Sequence, residues 1–340
     1  VRRLAGTDTA GRPPPRVLRS AGEPVRWEIA LARPHPRLRP GVISYRGTRL
    51  ATDGPRRRLE VPIGAVTLLL GFDRPLRISG VAGPGGARAV RPPVSLVSVL
   101  SGLGTTPVLG EHDGRLAGVE VLLAPWAAFT LFGTALHELA DRTLDPDALG
   151  VRPDPGRWGS VAELAAALGA LPSWRARFGL LDEVFGRWTA AGPPASARTV
   201  RAWSELVRSR GTAPVGHLAE EVGWSVRQLE NRFREQIGIG PKAAARVLRL
   251  QRARAMLASG HGQAETAAVC GYYDQAHLSG EFKAMTGCTP RQFTAARGTA
   301  PAPLGEPPAA DRVDGEPTSL VLPAGPAGPG ALFSKTGGRR

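Results

Sequence analysis

The chain has 340 residues, 42% of them hydrophobic, enough to bury two cores and still carry a tail. Lysine and arginine total 44 against 29 acidic residues, and the net charge of +15 favours an anionic partner. There is no apolar run of 18 residues to span a bilayer, and two cysteines exclude a disulfide scaffold and suit a reducing cytoplasm.

The charge is unevenly placed. Residues 1–60 hold 14 Lys and Arg against 5 Asp and Glu, and residues 196–297 hold 15 against 8. Residues 61–195 are balanced at 11 against 12, so charge alone does not locate a binding surface.

Taken in order, residues 1–24 are rich in Arg, Pro and Gly without periodicity and read as a disordered N-terminus. Residues 25–150 read as a β-rich domain of the sensor or dimerisation kind. Its strands are predicted at Val42–Tyr45, Ala65–Phe72, Leu76–Val81, Val94–Leu100 and Gly118–Leu123. Asp113-Gly114 is the dipeptide of a tight hairpin between His112 and the last strand. Gly83–Gly86 lacks the helix and lysine of a phosphate cradle and reads as a loop. A helix opens at Pro125 and stops at Gly133, with Trp126, Phe129, Leu131 and Phe132 on its apolar face. His137-Glu138 is half of a zinc-hydrolase motif, but Asp141 stands where the second histidine belongs, so the pair reads as structural.

Residues 151–195 read as a helical bridge. Ser160 and Glu163 have the spacing of a capping box for a helix to about Leu171. A second helix over 173–190 places Trp174, Phe178, Leu181, Phe185 and Trp188 on one stripe, a core or dimer surface. Ala191–Ala195 is a linker, and residues 298–340 collapse to an Ala/Pro/Gly tail expected to be flexible.

Between these lies an internal repeat. Ser225, Leu229, Phe233, Gly238 and Pro241 return 49 residues later as Asp274, Leu278, Phe282, Gly287 and Pro290. Ala219 with Ala268, Trp224 with Tyr273, and Arg234 with Lys283 keep the same offset. Each copy reads as an N-cap, two core contacts one turn apart, a glycine stop and a proline opening the next helix. Residues 196–297 therefore carry two helix-turn-helix modules, opened by a helix at 197–210 with Val200, Trp203, Leu206 and Val207 inward. In the first module Val215–Val222 supports, Gly223 turns and Ser225 with Gln228 caps the reading helix. In the second, Gln263–Cys270 supports, Gly271 turns and Asp274–Met285 reads, with Cys270 a core thiol.

The outward faces carry the chemistry. Arg227, Gln228 and Asn231, then Gln275, His277 and Ser279, are the candidate base contacts, since Arg reads guanine and Asn or Gln reads adenine bidentately. Ser225, Arg234 and Lys283 are the candidate phosphate contacts. Gly280 breaks the second face, so that module reads sequence less and leans on phosphates. Lys242–Leu257 forms a connecting helix of about 24 Å, long enough to set the readers one DNA turn apart. Its Arg246, Arg249, Arg252 and Arg254 are expected to turn in part toward phosphates.

Residues 213–297 resemble the C-terminal domain of AraC-type transcriptional regulators. The resemblance rests on LAEEVGWSVRQLENRFREQIGIGPK, RLQRARAML and CGYYDQAHLSGEFKAMTGCTPRQF. It implies that both reading faces contact bases in successive major grooves. The chain departs from the family where Asn231 and Gly280 stand in places often filled by arginine. Ala124–Gly150 is similar to sensor-like domains that precede such readers in actinobacterial regulators, implying a β-rich domain and a helical bridge.

The expected fold is α+β, and the expected function is cytoplasmic, sequence-specific transcriptional regulation without enzymatic activity, cofactor or metal. Double-stranded DNA is the expected partner. A small-molecule effector at the N-terminal domain, a second copy of the chain and RNA polymerase are further candidates. Two rivals are an enzyme targeted by the same reader and an architectural DNA binder. The absence of cysteine before Cys270 argues against a metal-bound cysteine nucleophile near the N-terminus.

Overall fold

The computed structural model describes residues 13–20, 26–81, 92–150 and 157–299, with 312–313, 316–317 and 319–322. Gly83–Gly86 lies outside the described residues. The fold is α+β, strands first and helices after. The first strands are β1 (Arg16–Ser20), β2 (Arg26–Ala32), β3 (Val42–Ala51), β4 (Arg56–Glu60), β5 (Val66–Gly71) and β6 (Leu76–Gly80). There follow β7 (Val94–Leu96), β8 (Val99–Ser101), β9 (Val108–His112), β10 (Arg115–Leu123) and β11 (Thr143–Leu144). Late in the chain come β12 (Arg312–Val313), β13 (Glu316–Pro317) and β14 (Ser319–Leu322).

Antiparallel ladders build a seven-stranded sheet, β1-β2-β3-β10-β5-β8-β11, and a five-stranded sheet, β14-β4-β9-β6-β7. Strand periodicity of two assigns the faces. In β5, Val66, Leu68 and Leu70 are fully buried on one face, while Thr67 and Leu69 line a cavity on the other. In β10, Val119, Val121 and Leu123 share the first face, and Leu116, Glu120 and Leu122 the second. The cavity, about 210 Å³, lies between the sheets. It mixes Leu69, Ile78 and Val99 with an Arg46–Glu120 ion pair at 2.5 Å and with His112.

Helices cover the opposite face of the large sheet. They are α1 (Pro125–Phe132), α2 (Val161–Ala170) and α3 (Trp174–Ala191). The stripe Trp174, Phe178, Leu181, Phe185 and Trp188 is core throughout. Tyr45 of β3 stacks on Phe178 and Phe185 at 5.5 and 6.3 Å, and its hydroxyl donates to Asp182 Oδ1 at 3.0 Å. Arg177, 2% exposed, finishes α2: its Nε donates to the Leu168 carbonyl at 2.9 Å and a second nitrogen to that of Leu171. Ser160 caps α2 by accepting from Glu163 N at 3.1 Å, but Glu163 Oε2 accepts from Gly159 N rather than closing the box on Ser160.

Several expectations are corrected. Val94–Leu100 is two strands, because a bend at Val97–Ser98 hands the chain from the small sheet to the large one. Asp113-Gly114 is a corner between sheets, not a hairpin: β9 pairs with β4 and β6, and β10 with β3 and β5. β1 falls in the stretch expected to be disordered, paired with β2. β14 falls in the expected tail and runs antiparallel to β4, from Ser319↔Glu60 to Leu322↔Arg57. Its Leu-Val-Leu run between Pro317 and Pro323 supplies the strand preference there.

Candidate nucleic-acid interface

The remaining helices are α4 (Ala197–Arg208), α5 (Val215–Glu221), α6 (Val226–Gln236), α7 (Pro241–Ala258), α8 (Gln263–Val269), α9 (Gln275–Thr286) and α10 (Pro290–Thr299). The pairs α5/α6 and α8/α9 meet at turns through Gly223 and Gly271, with φ of +65° and +72°. Only glycine takes that left-handed conformation freely, which is why both turns carry it. Leu229, Phe233 and Ile237 on one side, and Leu278, Phe282 and Met285 on the other, are no more than 1% exposed. In α4, Trp203 and Leu206 are buried as expected, whereas Val207 is exposed. The 18 residues of α7 span about 27 Å and join the modules.

Both reading helices are capped alike. Ser225 Oγ accepts from Gln228 N at 3.2 Å, and Gln228 Oε1 accepts from Ser225 N at 2.9 Å. Asp274 Oδ1 accepts from His277 N at 2.7 Å, and His277 Nδ1 accepts from Tyr273 N at 3.2 Å. Gln228 and His277 stand 49 residues apart, and each closes its own cap. Gln228 is exposed, and its amide NH2 makes no hydrogen bond among the described residues. The His277 ring stands edge-on to Tyr272 at 5.5 Å, with Nε2 3.8 Å from Glu281 Oε1.

The other candidates divide by module. Arg227, Asn231 and Arg234 on α6 and Lys283 on α9 are exposed and, among the described residues, make no hydrogen bond or ion pair. Gln275 is exposed, with its amide 3.5 Å from Gln263, and Ser279 is half-buried. The 49-residue offset sets Ala276 where Arg227 stands and Gly280 where Asn231 stands. A Cβ at Gly280 would meet nothing within 4 Å, so the second face is smooth and open.

Three of the four α7 arginines are engaged within the protein, while Arg252 is half-buried. Arg254 is fully buried. Arg246 Nε bonds Glu281 Oε1 at 2.8 Å, and Arg249 lies 3.6 Å from Glu281 Oε2 and 5.5 Å over the Tyr272 ring. These three turn inward because α7 is packed by α4, α6, α8, α10 and β13 and offers little free surface. Burial also pushes the Tyr272 phenol and the Cys270 thiol up, leaving both neutral. Sequence reasoning passed over two residues beside the faces. Tyr273 is 93% exposed just before α9, and Val226 is exposed at the first position of α6. The adjacent Tyr272-Tyr273 pair was the available signal, since one turn has room to bury only one ring.

Comparison with known proteins bears on this geometry. Residues 218–296 match the family model described as a helix-turn-helix domain. No curated protein matches the chain. Among solved structures, the chain is similar to the C-terminal domain of AraT, a response regulator from Geobacillus stearothermophilus. That likeness is 24% identical over 31% of this chain and 89% of that one, with a TM-score of 0.29. A transcriptional regulator from Chromobacterium violaceum, of the AraC-type DNA-binding-domain class, is 28% identical over 30% and 94%, with a TM-score of 0.29. ToxT from Vibrio cholerae is 10% identical over 74% and 97%, with a TM-score of 0.42.

Proposed function

Since residues 218–296 are an AraC-type helix-turn-helix domain, we propose that this DNA-binding transcription regulator reads two successive major grooves of one duplex. The observation that carries the reading is the pair of capped, outward-facing helices held on the single spacer α7. In this reading Arg227, Asn231 and the free amide of Gln228 select bases in the first groove. Gln275 and Ser279 do so in the second, with His277 at the edge of the contact. Arg234, Lys283 and Ser225 hold phosphates. The two modules contribute unequally: the first supplies long side chains, and the smooth second face supplies close approach.

The β-rich region regulates the reader in this proposal. The cavity between its sheets suits a small molecule that combines apolar surface with hydrogen-bonding groups, given Leu69 and Ile78 beside Arg46, Glu120 and Thr67. The protein acts in the cytoplasm without chemistry of its own, with a second copy and RNA polymerase as further partners. Selection from random duplexes with the full chain tests the reading. It should return two boxes centred about 10 base pairs apart, the first better defined than the second. Failure to enrich any sequence, or enrichment of one box alone, overturns it.

A further inference from the structure

The helical layer stops short of one end of the seven-stranded sheet. Trp174, the first residue of α3, packs so closely on Gly47 of β3 that a Cβ there would overlap its ring. The next positions of β3 on that face are Arg49 and Ala51, both exposed. The ladder registers set two rows of side chains across the sheet at this end. One row runs Arg19, Glu28, Arg49, Ala117, and the next runs Arg26, Ala51, Arg115. Together with Asp73, which follows β5, these residues line an open groove.

Charge in the groove is not balanced as it is elsewhere in the sheets. Arg46 faces Glu120 and Arg57 faces Glu111 directly across a ladder, and each is an ion pair. In the groove Glu28 is already engaged: Oε2 pairs with Arg19 at 2.5 Å, and Oε1 accepts from Trp174 Nε1. Arg49, opposite Glu28, lies 5.8 Å over the Trp174 ring instead. Arg26 and Arg115 both face Ala51. Among the described residues Arg49, Arg115 and Asp73 make no ion pair. With strands about 4.8 Å apart, Arg26 and Arg115 rise about 10 Å from each other on either side of a methyl group, and Arg49 stands one pleat away. Like charges so placed repel one another, and an anion seated over Ala51 turns that repulsion into attraction.

We propose that this hollow binds the phosphate group of a small molecule, at a site separate from the cavity between the sheets. The inference does not depend on the DNA reading proposed above. Guanidinium forks match phosphate oxygens two at a time. The groove carries four arginines against Glu28 and Asp73, a net charge of +2. A phosphomonoester carries about −1.5 to −2 near pH 7 and answers that charge. Position favours a small molecule over the duplex as the occupant. The groove lies at the first residue of α3, whereas the reader joins beyond its last, where Ser196 N donates to Gln236 Oε1 of α6 at 2.9 Å. The 18 residues of α3 set the two about 27 Å apart.

Isothermal titration of the full chain with inorganic phosphate and with glycerol phosphate, at constant ionic strength, tests the site. Each should fill a single saturable site by about 10 mM. Arg49→Gln and Arg115→Gln should each weaken binding about tenfold or more, the loss of one charge-assisted bond. Arg227→Ala and Lys283→Ala, on the reading helices, should leave it unchanged. Ala51→Glu sets a carboxylate where the ligand would sit, so it should raise the melting temperature and abolish the titration. An absence of saturable binding overturns the proposal, as does binding that Lys283→Ala removes and Arg115→Gln spares. A scrambled duplex is titrated alongside. If Arg115→Gln weakens the duplex as Lys283→Ala does while neither phosphate binds, the groove is a contact to the DNA backbone and the small-molecule site is overturned.

Discussion

Arg227 and Lys283 are both exposed cations, yet they should fail differently when removed. Arg227 stands near the start of α6, where a guanidinium can meet a base edge. Arg227→Ala should cost about 1–3 kcal/mol at one base position and leave binding to unrelated duplexes nearly unchanged. Lys283→Ala should weaken every duplex and flatten the slope of log affinity against log salt by about 1. Titrations of matched and scrambled duplexes at several salt concentrations separate the two. His112 carries a third prediction, in stability. Burial and then the charge of Arg58 depress its pKa from the usual 6.5 to about 4. Between those values the unfolded chain holds a proton that the folded chain lacks, so stability falls as pH is lowered through the window. Going from pH 7 to 4 should remove up to about 3 kcal/mol through this residue. His112→Leu should flatten that part of the urea-denaturation profile, and an unchanged profile would dismiss the effect.

At the scale of the element, α7 holds the most consequence. One residue inserted after Ala255 would rotate everything beyond it by about 100°. Both modules should then fold, as judged by circular dichroism, while two-box binding drops to that of a single box. Glu281 ties α9 to the same helix through Arg246 and Arg249. Glu281→Ala should release both arginines toward the duplex, tightening binding to scrambled DNA and steepening its salt slope by about 1–2. It should also lower stability by about 1–3 kcal/mol, since a half-buried carboxylate leaves two cations unpaired. The reading helices were legible in the sequence because caps, glycine turns and core spacing are local signals that each module repeats. The burial of Arg254 and the pairing of Arg246 and Arg249 were not: cations on a helix look solvated until the elements around it are known. The same limit hid the capping role of His277, whereas the Ser225/Gln228 spacing announced that of Gln228.

For the whole molecule, the α+β plan followed from strand-length apolar runs ahead of helical periodicity, but sheet membership did not. β4 is Arg-Arg-Arg-Leu-Glu, which resembles a charged loop. It becomes a strand because Arg57 finds Glu111 across the ladder at 2.9 Å, a pairing set by residues 54 positions apart. Nor could sequence show that the far end of the chain returns to this strand. β14 covers the β4 edge of the five-stranded sheet, and an uncovered edge presents unpaired backbone groups to other chains. A chain ending at Thr299 would lose four paired positions, on the order of 1–2 kcal/mol at typical cross-strand values. Its melting temperature should fall by a few degrees, and its sedimentation should become concentration-dependent as exposed edges meet. β14 lies on the sheet and β13 packs on the flank of α7, neither on the reading faces, so the selected duplex should keep both boxes at unchanged spacing. If truncation instead altered the spacing, the returning strand would be setting the reader's geometry as well as closing the sheet.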